Sequence, residues 1–160
     1  MRVVVRDKDL GFEEIQRQIA LLDGSYVKVG FQEGTATKTQ VKGQRKQTAG
    51  LSIPQIAAGN EFGTKTIPAR PFMSTSFDEN KALINKAIQG EYNKILDGKS
   101  TTERSLGLIG QLMTKLIVQK IRAIVSPPNS PRTIAIKKSS KPLIDFGQMV
   151  QSVRYKVDLK

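Results

Sequence analysis

From about Thr101 to Val125, Leu106, Ile109, Met113, Leu116, Lys120 and Ile124 trace a stripe at spacings of three and four, the period of a helix. Leu108, Leu112, Ile117 and Ile121 widen that stripe, and a face this broad requires packing on more than one side. Thr101 or Thr102 can cap the helix, and Ser126-Pro127-Pro128-Asn129-Ser130-Pro131 ends it, because proline removes a donor and fixes the backbone. The same window is the most apolar in the chain, yet Lys115, Lys120 and Arg122 within it argue against a membrane span.

The other elements follow from local pattern. Arg2 to Arg6, with three consecutive valines, reads as a short strand. Asp9 can cap a helix with Phe12, Ile15, Ile19 and Leu22 on one face, ended by Asp23-Gly24. Tyr26, Val27, Val29 and Phe31 make a second strand before Glu33-Gly34. Residues 35–50 are Thr, Gln, Gly and Lys with almost no apolar side chain, which predicts a long, mobile, basic loop. Ser52 caps a short helix that turns Ile53, Ile56 and Ala57 inward and tolerates Pro54 in its first turn. A long helix is then expected from Pro71 or Phe72 to Leu96, with Phe77, Ile84, Ile88 and Ile95 on one face and Asp97-Gly98 as its stop. One more helical turn is expected over 131–137, and Asp145-Phe146-Gly147 introduces a short helix. Val153, Tyr155, Val157 and Leu159 alternate with Arg154, Lys156 and Asp158, a strand with one wet face. Together these predict a single α+β domain over residues 1–160. Its small antiparallel or mixed sheet uses the N-terminal, middle and C-terminal strands and packs against two long helices.

Cys and His are absent, which excludes Ser-His-Asp triads, Cys nucleophiles, disulfides and zinc sites built on those side chains. The flanks of Val3 to Val5 carry Arg2, Arg6, Asp7, Lys8 and Asp9, so no secretory leader is expected there. With 26 Lys and Arg against 14 Asp and Glu, the formal charge is +12. Residues 81–160 hold 15 basic and 5 acidic side chains, and from Arg104 to Lys141 there is no acid at all. Such a field attracts phosphate backbones or an acidic protein face. Between Tyr92 and Phe146 there is no aromatic residue on which an unpaired base could stack, which favours duplex backbone or acidic protein over single strands.

Enzymatic motifs are weak. The one Gly-Lys-Ser, Gly98 to Ser100, follows a helix rather than a strand and glycine-rich loop, so it does not make a phosphate-binding loop. Asp78 and Glu79 offer carboxylates, but neighbours on a helix point about 100° apart and do not share a metal easily. No catalytic residue, cofactor or metal site is expected. The span Asn60 to Met73 carries more: an acid, two phenylalanines and a Pro-Ala-Arg-Pro bend between two helices. The planar fork of Arg70 can pair with Glu61 or with a neighbour's carboxylate, while Phe62 and Phe72 are expected to anchor the two ends in the core.

Ile56-Ala57-Ala58-Gly59-Asn60-Glu61-Phe62-Gly63 followed by Ile67-Pro68-Ala69-Arg70-Pro71-Phe72-Met73 resembles the Asn-Glu-Phe-Gly and Pro-Ala-Arg-Pro-Phe signature of the tail-completion, or neck, proteins of long-tailed bacteriophages. A second block agrees in order: Pro127 to Pro131, Thr133-Ile134, Lys137-Lys138, Lys141 to Met149 and Ser152 to Tyr155, with Phe146 where the family usually has Thr. The resemblance spans Ser52 to about Val157. It implies a non-enzymatic virion protein, assembled in the host cytoplasm, whose homo-oligomeric ring, expected to be a hexamer, joins the DNA-filled head to the tail. Its implied partners are the head-completion or connector protein, the tail terminator or tail tube, and DNA passing through the lumen without sequence readout. Related folds also serve as tail terminators; a duplex-DNA-binding module is the alternative from another class. On this reading Glu61, Phe62, Arg70 and Phe72 form a subunit interface, and Lys38, Lys42, Arg45 and Lys46 an assembly arm. Arg132, Lys137, Lys138 and Lys141 then face DNA or an acidic partner.

Overall fold

The computed structural model describes residues 11–32, 51–137, 139–144 and 147–160. In chain order these form α1 (Phe12–Leu22), β1 (Tyr26–Phe31), α2 (Ile53–Glu61), α3 (Phe72–Glu79), α4 (Lys81–Leu96), α5 (Thr102–Ala123), α6 (Pro131–Lys137), α7 (Gln148–Ser152) and β2 (Val153–Asp158). The fold is α+β and mostly helical. Among the described residues the sheet has two antiparallel strands, with Tyr26 opposite Asp158 and Phe31 opposite Val153. The expected N-terminal strand, the Asp9 cap and the 35–50 loop lie outside the described residues.

α5 is the hub, packing against both strands, α3, α4 and α1. Thr101 caps it, its hydroxyl accepting from the Arg104 N–H at 3.3 Å. The wide stripe is used on two sides, as its breadth required. Ile117 and Ile121 join Ile53, Ala57, Phe72, Leu143, Met149 and Val153 in one buried core. Leu106 is buried toward the other end of the helix, where α4 contributes Ile84 and Ile95 to the buried set. Alternation along the strands turns Val153, Tyr155 and Val157 toward α5 with Val27, Val29 and Phe31 opposite them, and the Phe31 ring meets Phe72 edge-on at 5.9 Å.

One expectation is corrected. The helix expected from Pro71 or Phe72 to Leu96 is two helices, broken at Asn80. The Asn80 side chain donates to Ser76 O at 2.9 Å and its backbone N–H to Phe77 O, and its φ of −109° and ψ of 12° lie outside the helical range. Asn offers the backbone a local alternative to the helical ladder, and here that alternative wins. Of the predicted stripe only Ile84 and Ile95 are buried; Phe77 and Ile88 remain exposed. α4 does stop at Asp97-Gly98: Gly98 adopts φ 66°, and Gly98 and Lys99 donate to Ile95 O and Lys94 O, the paired bonds of a Schellman cap.

Candidate functional site

The Asn60 to Met73 span folds as a turn closed on itself. Ser52 and Gln55 build a reciprocal capping box that starts α2, the Ser52 N–H donating to Gln55 Oε1 at 2.8 Å. α2 then delivers Glu61 to its own C-terminal end. Gly63 reverses the chain at φ 77°, and a Cβ there would lie 2.9 Å from the Ala69 nitrogen, so glycine is needed both for the torsion and for the space. The Thr64 N–H donates to Ile67 O at 2.8 Å, and the Arg70 N–H to Asn60 O at 2.7 Å. Residues 63–69 are thereby stapled at both ends.

Glu61 acts as a cap supplied from a distance. α3 begins after Pro71, whose side chain has no acceptor to offer its first turn. The Glu61 carboxylate fills that role: Oε2 accepts from the Met73 N–H at 2.9 Å, and Oε1 from the Ser74 N–H at 3.0 Å and the Ser74 hydroxyl at 2.8 Å. A negative charge at a helix N-terminus is stabilised by the orphan donors and the macrodipole.

Arg70 is buried and points the other way. Its Nε donates to Pro127 O at 2.7 Å and its Nη2 to Pro128 O at 3.1 Å, in the loop that follows α5. Loss of hydration lowers the guanidinium pKa, but arginine stays charged at any pH a folded protein meets. The Arg70–Glu61 pair offered by the sequence is not formed, since each side chain spends its hydrogen bonds on backbone groups of its own chain.

The two phenylalanines part company. Phe72 is fully buried, as expected, but Phe62 is 81 % exposed and does not anchor the core. It is the C-cap residue of α2, and the reversal at Gly63 begins before its ring can reach the interior. Phe62 stands at the rim of an open groove of about 660 Å³, lined by residues 28–32 of β1, by Pro54, Ala57 and Ala58 of α2, and by Glu61 and Met73. Five consecutive residues of a strand can line one groove only along its edge, because its side chains alternate between faces. β2 lies along the opposite edge of β1.

Arg132 is exposed in the first turn of α6, and Lys141 is exposed in the segment before α7. The backbone of Lys141 is tied to Asn129, whose side chain donates to Lys141 O at 3.2 Å. Lys38, Lys42, Arg45, Lys46 and Lys138 lie outside the described residues, and Lys137 is described only as the last residue of α6. The structure therefore unites Glu61, Arg70 and Phe72, turns Phe62 outward, and places Arg132 and Lys141 elsewhere. Among the described residues no group of three or more acidic side chains is gathered to hold a metal, and Glu79 pairs with Lys120 at 2.6 Å.

Sequence reasoning missed the groove along β1 and the true partners of Glu61 and Arg70. A signal for the first partner was present: a proline directly before a helix leaves the first turn in need of an acceptor, and Glu61 is the nearest preceding acid. Compared with known proteins, the chain matches no family model, no curated sequence and no solved structure.

Proposed function

We propose that this protein is a ring-forming neck subunit of a long-tailed bacteriophage, joining the DNA-filled head to the tail in the virion and leaving a channel for DNA. The reading begins in the two sequence blocks that resemble tail-completion proteins. Its structural support is that Arg70 joins those blocks across 57 residues of sequence, and that the unit so formed offers Phe62 to solvent. Glu61 and Arg70 make the turn rigid from within, Phe72 roots it in the core, and Phe62 is the part left over for a neighbour. A large aromatic beside an apolar groove, on a support that does not move, is the anatomy of an interface anchor.

In this role the protein's action is mechanical. Phe62 of one copy seats on the adjoining subunit, and Glu61 and Arg70 act as positioning residues for it. The test is electron microscopy of particles assembled with a tagged copy of the chain. Density is expected in a ring between the portal end of the head and the tail, and Phe62→Ser is expected to leave a folded monomer and give heads without joined tails. Tag density at any other level, or normal particles from Phe62→Ser, would overturn the corresponding part of the reading.

No described helix is long and apolar enough to cross a membrane.

A further inference from the structure

Strand register sets Lys28 directly opposite Lys156, and Gly30 opposite Arg154, all on the face of the β1–β2 ribbon turned away from α5. Like charges directly opposite across an antiparallel pair are destabilising. Asp158 relieves this only in part: Oδ2 takes Lys28 Nζ at 2.9 Å and Oδ1 takes Lys156 Nζ at 2.8 Å, so one carboxylate serves two ammonium groups. Among the described residues Arg154 forms no ion pair, its Nη1 donating to Val153 O at 3.2 Å. Three cations and one anion leave this face positive, with the Lys28 and Lys156 side chains 56 % and 64 % exposed. A placement that costs stability and persists at an exposed surface marks a functional demand.

We propose that this ribbon face binds the phosphate backbone of duplex DNA without reading its sequence. The strands present no aliphatic side chain on this face, and its aromatic residue, Tyr26, has the Lys28 ammonium 4.9 Å over its ring. An acidic protein partner would need an apolar core to desolvate, which the face lacks. A phosphate backbone needs only cations within reach, and gains from the counterions they release. Arg154 and Lys156 are two residues apart on one strand, about 6.8 Å, and Lys28 lies one strand spacing away, about 4.8 Å, so flexible stems can spread the three charges over neighbouring phosphates. That the face lines the lumen rests on the neck reading; the phosphate contact does not.

The test is fluorescence anisotropy of the full chain with a labelled 24-base-pair duplex across a salt series. Wild type is expected to bind any duplex sequence, with affinity falling linearly in log salt. The Lys28→Gln, Arg154→Gln, Lys156→Gln triple variant is expected to flatten that slope by about 2 to 3, at roughly 0.9 per phosphate released. Should the triple variant fold poorly by circular dichroism, Asp158→Asn decides, since removing the one acid should tighten binding. A wild type that ignores duplex DNA, or that prefers polyglutamate to it, overturns the proposal. So does a folded triple variant with the wild-type slope, or an Asp158→Asn variant of unchanged affinity. Particle imaging judges the neck reading separately: a chain found in the neck whose ribbon variants bind DNA normally loses this proposal alone.

Discussion

Gly107 and Gly110 sit three residues apart in α5 and are alike in sequence, yet their surroundings are opposite. A Cβ built on Gly107 meets nothing within 4 Å, whereas one on Gly110 falls 2.6 to 2.9 Å from the Tyr155 side chain, closer than packed atoms approach. Gly107→Ala is therefore expected to stabilise the protein by about 0.5 to 1 kcal/mol, the helix-propensity difference. Gly110→Ala gains the same propensity but must push back a ring wedged between α5 and β2, for a net loss of about 1 kcal/mol or more. Urea unfolding of both variants checks the sign, and a stabilised Gly110→Ala would refute the packing described for Tyr155. Nothing local distinguishes these glycines, because the ring that separates them arrives from 45 residues further along the chain. Phe62 carries the same lesson. Aromatic character alone suggested a core anchor, but its direction is set by the reversal at Gly63, a property of the turn and not of the side chain.

At the level of elements, what was legible is what is local. The Ser52 cap, the Thr101 cap, the Gly98 stop and the period of α5 are encoded within a turn or two, and each appears where the sequence put it. The break at Asn80 was hidden because the apolar spacing from Phe77 to Ile84 runs through it unchanged, while a single side-chain bond to Ser76 decides the outcome. The ribbon was legible as two strands, but its register was not, and register creates the Lys28–Asp158–Lys156 cluster. That cluster has a pH signature. Hydrogen bonds from Lys156 and then Lys28 hold the Asp158 carboxyl at about 2, below its usual 3.8, and the bond to Asp158 raises Lys28 above its usual 10.5. A carboxyl depressed in the folded state adds stability above its unfolded pKa and loses it as pH falls through the folded one, here between about 4 and about 2. The raised Lys28 has the converse sign: its contribution is complete below its unfolded pKa and disappears as pH rises through the folded value. Carbon-detected NMR titration should give an Asp158 midpoint of about 2 in the wild type, moving toward 3.8 in Lys156→Gln. A wild-type midpoint already near 3.8 would contradict the cluster.

For the whole molecule the decisive tie is Arg70, which fastens the 60–73 turn to the loop after α5 and so joins segments 57 residues apart. The sequence offered carboxylates as its partners, since a guanidinium suggests an acid; two proline carbonyls are chemically unmarked in a sequence and could not be singled out. This changes what an Arg70 variant can report. Had the side chain lain in an interface, Arg70→Ala would leave the monomer intact and stop assembly alone. Being 4 % exposed and bonded to Pro127 and Pro128, it holds the monomer itself. Arg70→Ala strands two carbonyls and opens a cavity, which costs about 2 to 4 kcal/mol. That is a large share of the roughly 5 to 15 kcal/mol by which a domain is stable. Arg70→Lys keeps the charge but only a single point donor in place of the fork, and should recover no more than about half of the loss. Chemical denaturation of the isolated chain measures both, and an Arg70→Ala midpoint equal to wild type would dismiss the tie. Phe62→Ser, by contrast, removes an exposed ring and should leave the same midpoint unmoved. The comparison separates the two ways in which assembly can fail: an Arg70 variant loses the surface because the turn no longer holds its shape, and a Phe62 variant keeps the shape and loses only the anchor.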